Sequence, residues 1–568
     1  ADVGLRNARG GSLSGGRLPV DGITTRITLV NPADPVARTL QFRDLRVTLP
    51  GPALAGGRQA GQGVITGTLD VTPGRTVTVA GIPIPDVRAA LVLDTIDLAR
   101  FGPPASPALP ATALGGTVSL TGDAFRIELN QSAERMRALL PAALVDAAGA
   151  AEVLVRGRLD DALLRLDEGR IRLGASEVRA AGEAGVKAPF RVRLQGDVRR
   201  IELGQWLPRD PGIDPRWRNG RISGEWSVDG TVAPAFDASV ALKLTDSTLA
   251  GRPLAAELQT RLVLAADGLP VRLERTAAEV RLGSNRIRAA GALGAPADRM
   301  TLDLALPDPG LFDPRLGGRI ALDGELTGTF DRLLARATVR GDALRFTQPD
   351  GDLRVASIRL EARVPAAASV PPRAPLAVTL QLRDVRAAGR TVERADLKVD
   401  GSLEGHRFEL SGAGEGQSLV LRGNGQATLT GPPSWRARLD TATLDGSVPI
   451  RLTAPAELRV DGGSVLVDRF AAAIAGGEAN LVRLLVDWTG QPRFDSRGTA
   501  RDLPITRLIE LAGGADPGLD ALRALRVDAD WALRGTGPED LSGEARIGLR
   551  EATDAGAPLG LSGDANGV

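Results

Sequence analysis

Apolar and polar residues alternate along most of this chain. Ser239-Val240-Ala241-Leu242-Lys243-Leu244-Thr245 places Val240, Leu242 and Leu244 on one side and the polar residues on the other. The run from Thr301 to Leu306 does the same for Leu302, Leu304 and Leu306, and the run from Leu376 to Leu382 for Val378, Leu380 and Leu382. Arg191-Val192-Arg193-Leu194 and Leu45-Arg46-Val47-Thr48-Leu49 repeat the pattern. A period of two belongs to strands with one dry and one wet face. Glycine-containing breaks punctuate the runs at short intervals, as at Gly220, Gly224 and Gly230 or Gly317, Gly324 and Gly328.

Helical spacing is rare. Ser132 caps a run to Leu140 with apolar residues three and four apart, which predicts a short helix near 132–148. Pro504 to Leu511 and Gly518 to Leu525 form a second, glycine-broken candidate. Both read as short packing insertions, with a membrane- or partner-contacting flap as the functional alternative.

The sequence also repeats itself. Ile171-Arg172-Leu173-Gly174-Ala175-Ser176-Glu177-Val178-Arg179-Ala180-Ala181-Gly182 returns as Val280-Arg281-Leu282-Gly283-Ser284-Asn285-Arg286-Ile287-Arg288-Ala289-Ala290-Gly291. Repetition of strand-rich units points to an object that grows in one dimension. The chain therefore divides into a β-rich N-terminal part, 1–150, and a continuous repeat-built part, 151–568, with units of about 171–279 and 280–390.

A sheet with one apolar face must bury it, and few helices are available as a cover. Closed sandwiches of about 100 residues need boundaries that this chain does not display. The expected fold is all-β: an elongated, curled sheet of solenoid type whose dry face lines a hydrophobic groove. The groove-lining candidates are Val192, Leu194, Val240, Leu242, Leu244, Leu302, Leu304, Leu306, Val378, Leu380 and Leu382. Branched aliphatic walls suit acyl chains, so phospholipid acyl chains are the expected ligand.

Composition narrows the function classes. The 70 basic and 69 acidic residues leave a net charge of +1, which excludes the basic excess of a nucleic-acid binder. Lysine occurs only at Lys187, Lys243 and Lys398, so nearly every cation is arginine. Absence of cysteine rules out disulfides and thiolate metal sites, and a single histidine rules out a metal site built on several imidazoles. Lack of cysteine fits an oxidising compartment. No run of about 18 uncharged apolar residues is present to span a membrane as a helix. The chain opens on Ala1-Asp2-Val3 and stops at Asn566-Gly567-Val568, and it reads as a portion of something longer with any anchor outside it.

Several segments in order resemble the TamB family, within the AsmA-like proteins of Gram-negative bacteria. They are Gly204-Gln205-Trp206-Leu207-Pro208, then Gly220-Arg221-Ile222-Ser223-Gly224 and Gly230-Thr231-Val232-Ala233-Pro234, and the stretch from Gly283 to Gly294. Later, Leu452-Thr453-Ala454-Pro455-Ala456 leads through Gly476-Gly477 to Gly498-Thr499-Ala500-Arg501-Asp502-Leu503-Pro504. The resemblance runs from about residue 150 to the end. It implies a taco-shaped β fold with a hydrophobic groove, and a periplasmic protein anchored in the inner membrane and reaching toward the outer membrane. It also implies phospholipid transport or outer-membrane protein assembly with a TamA-like outer-membrane partner. The anchor helix and the partner-docking domain of the family lie outside this sequence, so contact with that partner is expected through regions outside it. The chain is read as a monomer.

Catalytic readings find no company. His406, in Glu404-Gly405-His406-Arg407-Phe408-Glu409, has no second histidine, cysteine or tyrosine to work with and reads as a turn entering a strand. Gly412-Ala413-Gly414-Glu415-Gly416-Gln417 lacks the third glycine of a dinucleotide loop and leads into strands. Asp160-Asp161 and Glu539-Asp540 sit in apparent turns. The expectation is a protein with no catalytic residues, cofactor or metal. Three classes compete: a lipid conduit, an assembly factor whose strand edge pairs with client strands, and a secreted adhesin-like solenoid. The aliphatic dry face favours the first.

Overall fold

A computed structural model describes the chain except for residues 9–16, 51–61, 80–81, 98–111, 133–149, 161, 208–213, 234, 266–267, 349–350, 367–370, 372, 388, 429–432, 489–492, 507–524, 537–539, 552–562 and 568. The all-β reading holds. Helix among the described residues is confined to the turn Leu203–Trp206, the 3-10 turns Pro215–Arg218 and Pro309–Leu311, and Ile505–Thr506. The helix expected near 132–148 falls outside the described residues apart from Ser132. Of the second candidate, Pro504 closes the strand Arg493–Pro504 and Leu525 opens the strand Leu525–Gly535. No helix among the described residues is long and apolar enough to cross a membrane.

The chain packs as two units, Ala1–Ala292 and Leu293–Val568. In the first unit, the strands from Asp2–Arg6 to Pro270–Leu282 pair antiparallel, each with its neighbour in sequence. The second unit repeats this from Arg299–Leu306 onward. One departure occurs there: the strand Ser434–Asp445 faces two short strands, Ile450–Ala454 and Ala456–Asp461, and both rejoin Ser464–Ile474.

The sequence repeat is a repeated hairpin. Leu163–Leu173 turns into Ser176–Gly185 through Gly174-Ala175, and Pro270–Leu282 turns into Asn285–Leu293 through Gly283-Ser284. Both leading glycines sit at φ +59, the positive value that a two-residue hairpin turn of the primed type requires. The residue after each turn is polar yet fully buried: Ser176 and Asn285. Ser176 is satisfied there, its Oγ donating to the Arg200 carbonyl at 3.1 Å.

Bulges curl the sheet of each unit. Asp44, Thr95, Arg200, Asp246 and Asp502 have positive φ, and each stands at a register shift with the neighbouring strand. A bulge bends its strand and sharpens the local twist. It also moves the side-chain phase by one: after Leu244 the next residue on that face is Ser247, which is buried, rather than Asp246.

A continuous apolar face as the candidate functional site

Residues directly opposite in an antiparallel pair share a face of the sheet, so the register can be followed from strand to strand. In the first unit one row crosses all the strands from Asp2–Arg6 to Pro270–Leu282. It runs Leu5, Ile23, Val47, Ile65, Leu93, Gly116, Leu129, Val153, Ile171, Val178, Val198, Gly224, Leu244, Ala256, Val280. No member is polar. Two residues along each strand lies a second row that includes Gly196, Trp226, Leu242, Leu258 and Ala278. A third carries Gly182, Leu194, Val228 and Val240 and ends on Thr260. Thr260 meets Thr276 hydroxyl to hydroxyl at 2.8 Å, so the polar end of that row is satisfied internally. Val192, opposite Ala184 and Gly230, belongs to a fourth.

The second unit is built alike. Leu304 begins a row through Leu322, Val339, Leu360, Leu380, Leu397, Leu410, Leu421 and Ala442. Leu302 and Val378 share the row beside it, which reaches Phe408, Gly423, Leu439 and Ala456. Leu306 and Leu382 share the row on its other side. Thus each candidate lining residue lies in a row of its own unit that is apolar, apart from Thr260 at the end of the row of Leu194 and Val240.

These rows are only partly covered. All eleven candidates are half-buried. Leu5 stays 63% exposed and Ile171 55% exposed, although both sit in the unbroken apolar row. Buried apolar residues gather in two clusters of the second unit, one around Phe408, Ala437, Leu439 and Ala456, the other around Ala500, Leu503 and Val527, and in the first unit Leu49, Ile96, Ala238 and Leu282 are among those buried.

The opposite face is polar and charge-paired. Arg193 meets Asp229 at 3.1 Å and Arg261 meets Asp237 at 2.8 Å, the latter holding the Asp237 carboxyl below its usual range. Arg340 meets Asp323 at 2.9 Å and Arg422 meets Glu409 at 2.8 Å. Open depressions of about 830 Å³ and 740 Å³ lie mainly along this face, the first lined by Arg407, Arg436 and Glu457, the second by Arg193, Asp229 and Arg261. Mixed charge and internal pairing make them ordinary solvated surface.

His406, the one histidine, begins the strand His406–Gly414, as its sequence context suggests, but it is buried and faces the apolar side. Its Nε2 accepts from the Trp435 indole at 2.8 Å, and its Nδ1 lies 3.1 Å from the Ser402 carbonyl. That carbonyl can only accept, so Nδ1 carries the proton, and both ring nitrogens are engaged in structural bonds. Sequence reasoning missed this environment because Trp435 is brought to His406 by strand pairing rather than by spacing.

A model of the TamB N-terminal domain matches residues 123–467. The match begins earlier than the resemblance read from motifs and stops before the late segment from Gly476 to Pro504. No curated protein and no solved structure matches the chain. The matched span covers more than half of the sequence, so the chain belongs to the TamB family, whose setting is lipid and protein transport in the cell envelope.

Proposed function

We propose that this chain carries phospholipid between the inner and outer membranes, with acyl chains laid on the apolar rows. In this reading the protein works in the periplasm. It is held to the inner membrane by a segment outside this chain, and it meets a TamA-like outer-membrane partner through other regions outside it.

The observation that supports the reading is the unbroken apolar row of the first unit, from Leu5 to Val280, with its repetition from Leu304 to Ala442 in the second. A sheet built only to fold would cover its dry face with another layer. Here leucine, valine and isoleucine remain half-exposed strand after strand, a surface that water wets poorly. Each acyl CH₂ moved from water onto such a surface gains up to about 0.8 kcal/mol when fully buried. Rows without a polar member offer that gain at successive strands, so a chain can move along them without a deep trap or a high barrier. Charged headgroups stay in solvent.

Lipid extraction and native mass spectrometry of the purified chain test this. Co-purifying phospholipid is the expected result. A lipid-free chain that instead binds unfolded outer-membrane β-strands would replace the conduit with an assembly factor.

A further inference from the structure

Several large side chains on the apolar face share a placement. Trp226 is paired directly with Gly196, Trp531 with Gly498, and His406 with Gly425. Phe125 and Phe408 are paired with Gly157 and Gly423. In each case the ring reaches across to the neighbouring strand and covers the glycine. A β-carbon added at Gly196 would come within 2.8 Å of the Trp226 ring, and nearer still to the Arg179 carbonyl of the strand on the other side. At Gly423 it would come within 2.9 Å of Phe408, and at Gly425 within 2.5 Å of His406 and 2.6 Å of the Trp435 indole nitrogen. At Gly498 the nearest atom belongs to the Trp531 ring, with the Asn480 carbonyl oxygen 2.8 Å away on the other side.

Two indoles are also tethered at their polar tips. Trp531 donates to Ser496 Oγ at 2.9 Å and Trp435 to His406 Nε2 at 2.8 Å. The planes of the His406 and Trp435 rings are 10° from parallel. A glycine opposite an aromatic residue gives the ring a bed on the sheet. A bed across the strand gap lets an indole extend sideways rather than upward. A pocket that holds a ligand in one place uses aromatic side chains as walls; these rings are laid down instead.

We propose that the ring–glycine pairs set the clearance of the apolar face, keeping it level for an extended acyl chain that slides rather than docks. This rests on the lipid-carrying reading above. Gly498 and Gly425 are then positioning residues: a side chain there lifts Trp531, or the His406–Trp435 pair, into the path of the lipid.

The test places a photo-crosslinker in the full chain at position 481, opposite Gly498, or at position 458, in the row of Gly425 and Ala437. Gly498→Ala lowers phospholipid capture at 481 by about fivefold, and Gly425→Ala does the same at 458. Gly498→Ala combined with Trp531→Leu restores capture, because the raised ring is gone. Trp531→Leu alone captures lipid at the parental level, and this variant keeps the proposal testable if the glycine variants fold poorly. Unchanged capture in folded Gly498→Ala and Gly425→Ala, or lost capture in Trp531→Leu, overturns the clearance role. A parental chain that captures no phospholipid at either position overturns the lipid-carrying reading itself.

Discussion

Trp435 donates its indole N–H to Nε2 of His406 across 2.8 Å, joining two strands from within the apolar face of the second unit. The bond satisfies the polar tip of a large aromatic residue whose body packs edge-on against Phe408, with ring centroids 5.2 Å apart. Its partner is a histidine with both nitrogens occupied, an arrangement for holding strands together rather than for moving protons.

The first prediction follows from that pair. His406→Ala removes the acceptor of the Trp435 N–H and uncovers Gly425. The cost is about 1–3 kcal/mol of local stability, the range for a buried donor left unsatisfied. Chemical denaturation followed by tryptophan fluorescence measures it, and His406→Gln, which can still accept, should lose less. Transport in cells survives the alanine substitution if the protein is kept below its unfolding temperature. A variant of undiminished stability that nonetheless loses all transport would point to chemistry at His406.

A second prediction concerns the repeated hairpin. Gly283 sits at φ +59, where a β-carbon costs about 1–2 kcal/mol. Gly283→Ala therefore speeds hydrogen exchange across Leu282 and Ile287 by about fivefold or more, the change in local opening that roughly 1 kcal/mol gives. Asparagine at the same position tolerates this conformation better and should exchange more slowly than the alanine variant. Equal protection in the parental and alanine chains would show that the turn is not under this constraint.

Glu177 gives a pH-dependent prediction. Burial would push its carboxyl up, but Arg172 and Arg179 outweigh burial and hold it below the usual carboxylate range. The Arg172 Nη2 contact is 2.9 Å, and the Glu177 side chain is only 9% exposed. A carboxyl held low in the folded state stabilises the fold above its unfolded-state value and loses that contribution as pH falls through the folded value. Glu177→Gln should thus destabilise the first unit at neutral pH by about 1–3 kcal/mol. The difference from the parental chain should shrink toward zero in acid. A difference that persists unchanged in acid would mean that shape, not charge, makes Glu177 matter.

Period two made the strands legible, and with them the faces. Leu302, Leu304 and Leu306 fall in the same three adjacent rows as Val378, Leu380 and Leu382, because alternation fixes which residues share a side and short connections make sequence neighbours pair. Bulges were not legible. Nothing about Thr245-Asp246 announces that the phase slips there and that Ser247 turns inward, since the residue at positive φ is an aspartate rather than a glycine. The ring–glycine pairs were hidden for another reason. Gly196 and Trp226 meet only through register, and a glycine in a strand reads from sequence as a break rather than a bed. The buried polar residues Ser176, Asn285 and His406 were hidden likewise, because each is set by neighbouring strands as well as by its own alternation.

The central claim is that acyl chains ride on the apolar rows, and adjacent residues on opposite faces test it most directly. Leu304 lies in the apolar row with Leu322, whereas Ala305 and its partner Ala321 share the other face with Arg340. Leu380 and Gln381 provide the same contrast four strands along. Photo-crosslinkers placed singly at 304, 305, 380 and 381 in cells should capture phospholipid about tenfold more at 304 and 380 than at 305 and 381, the difference that contact with roughly two methylenes makes. Leu304→Asp should block transport while the sheet stays folded, and Ala305→Asp should be tolerated. Equal capture at the four positions, or normal transport with aspartate at 304, would contradict a lipid path along this face.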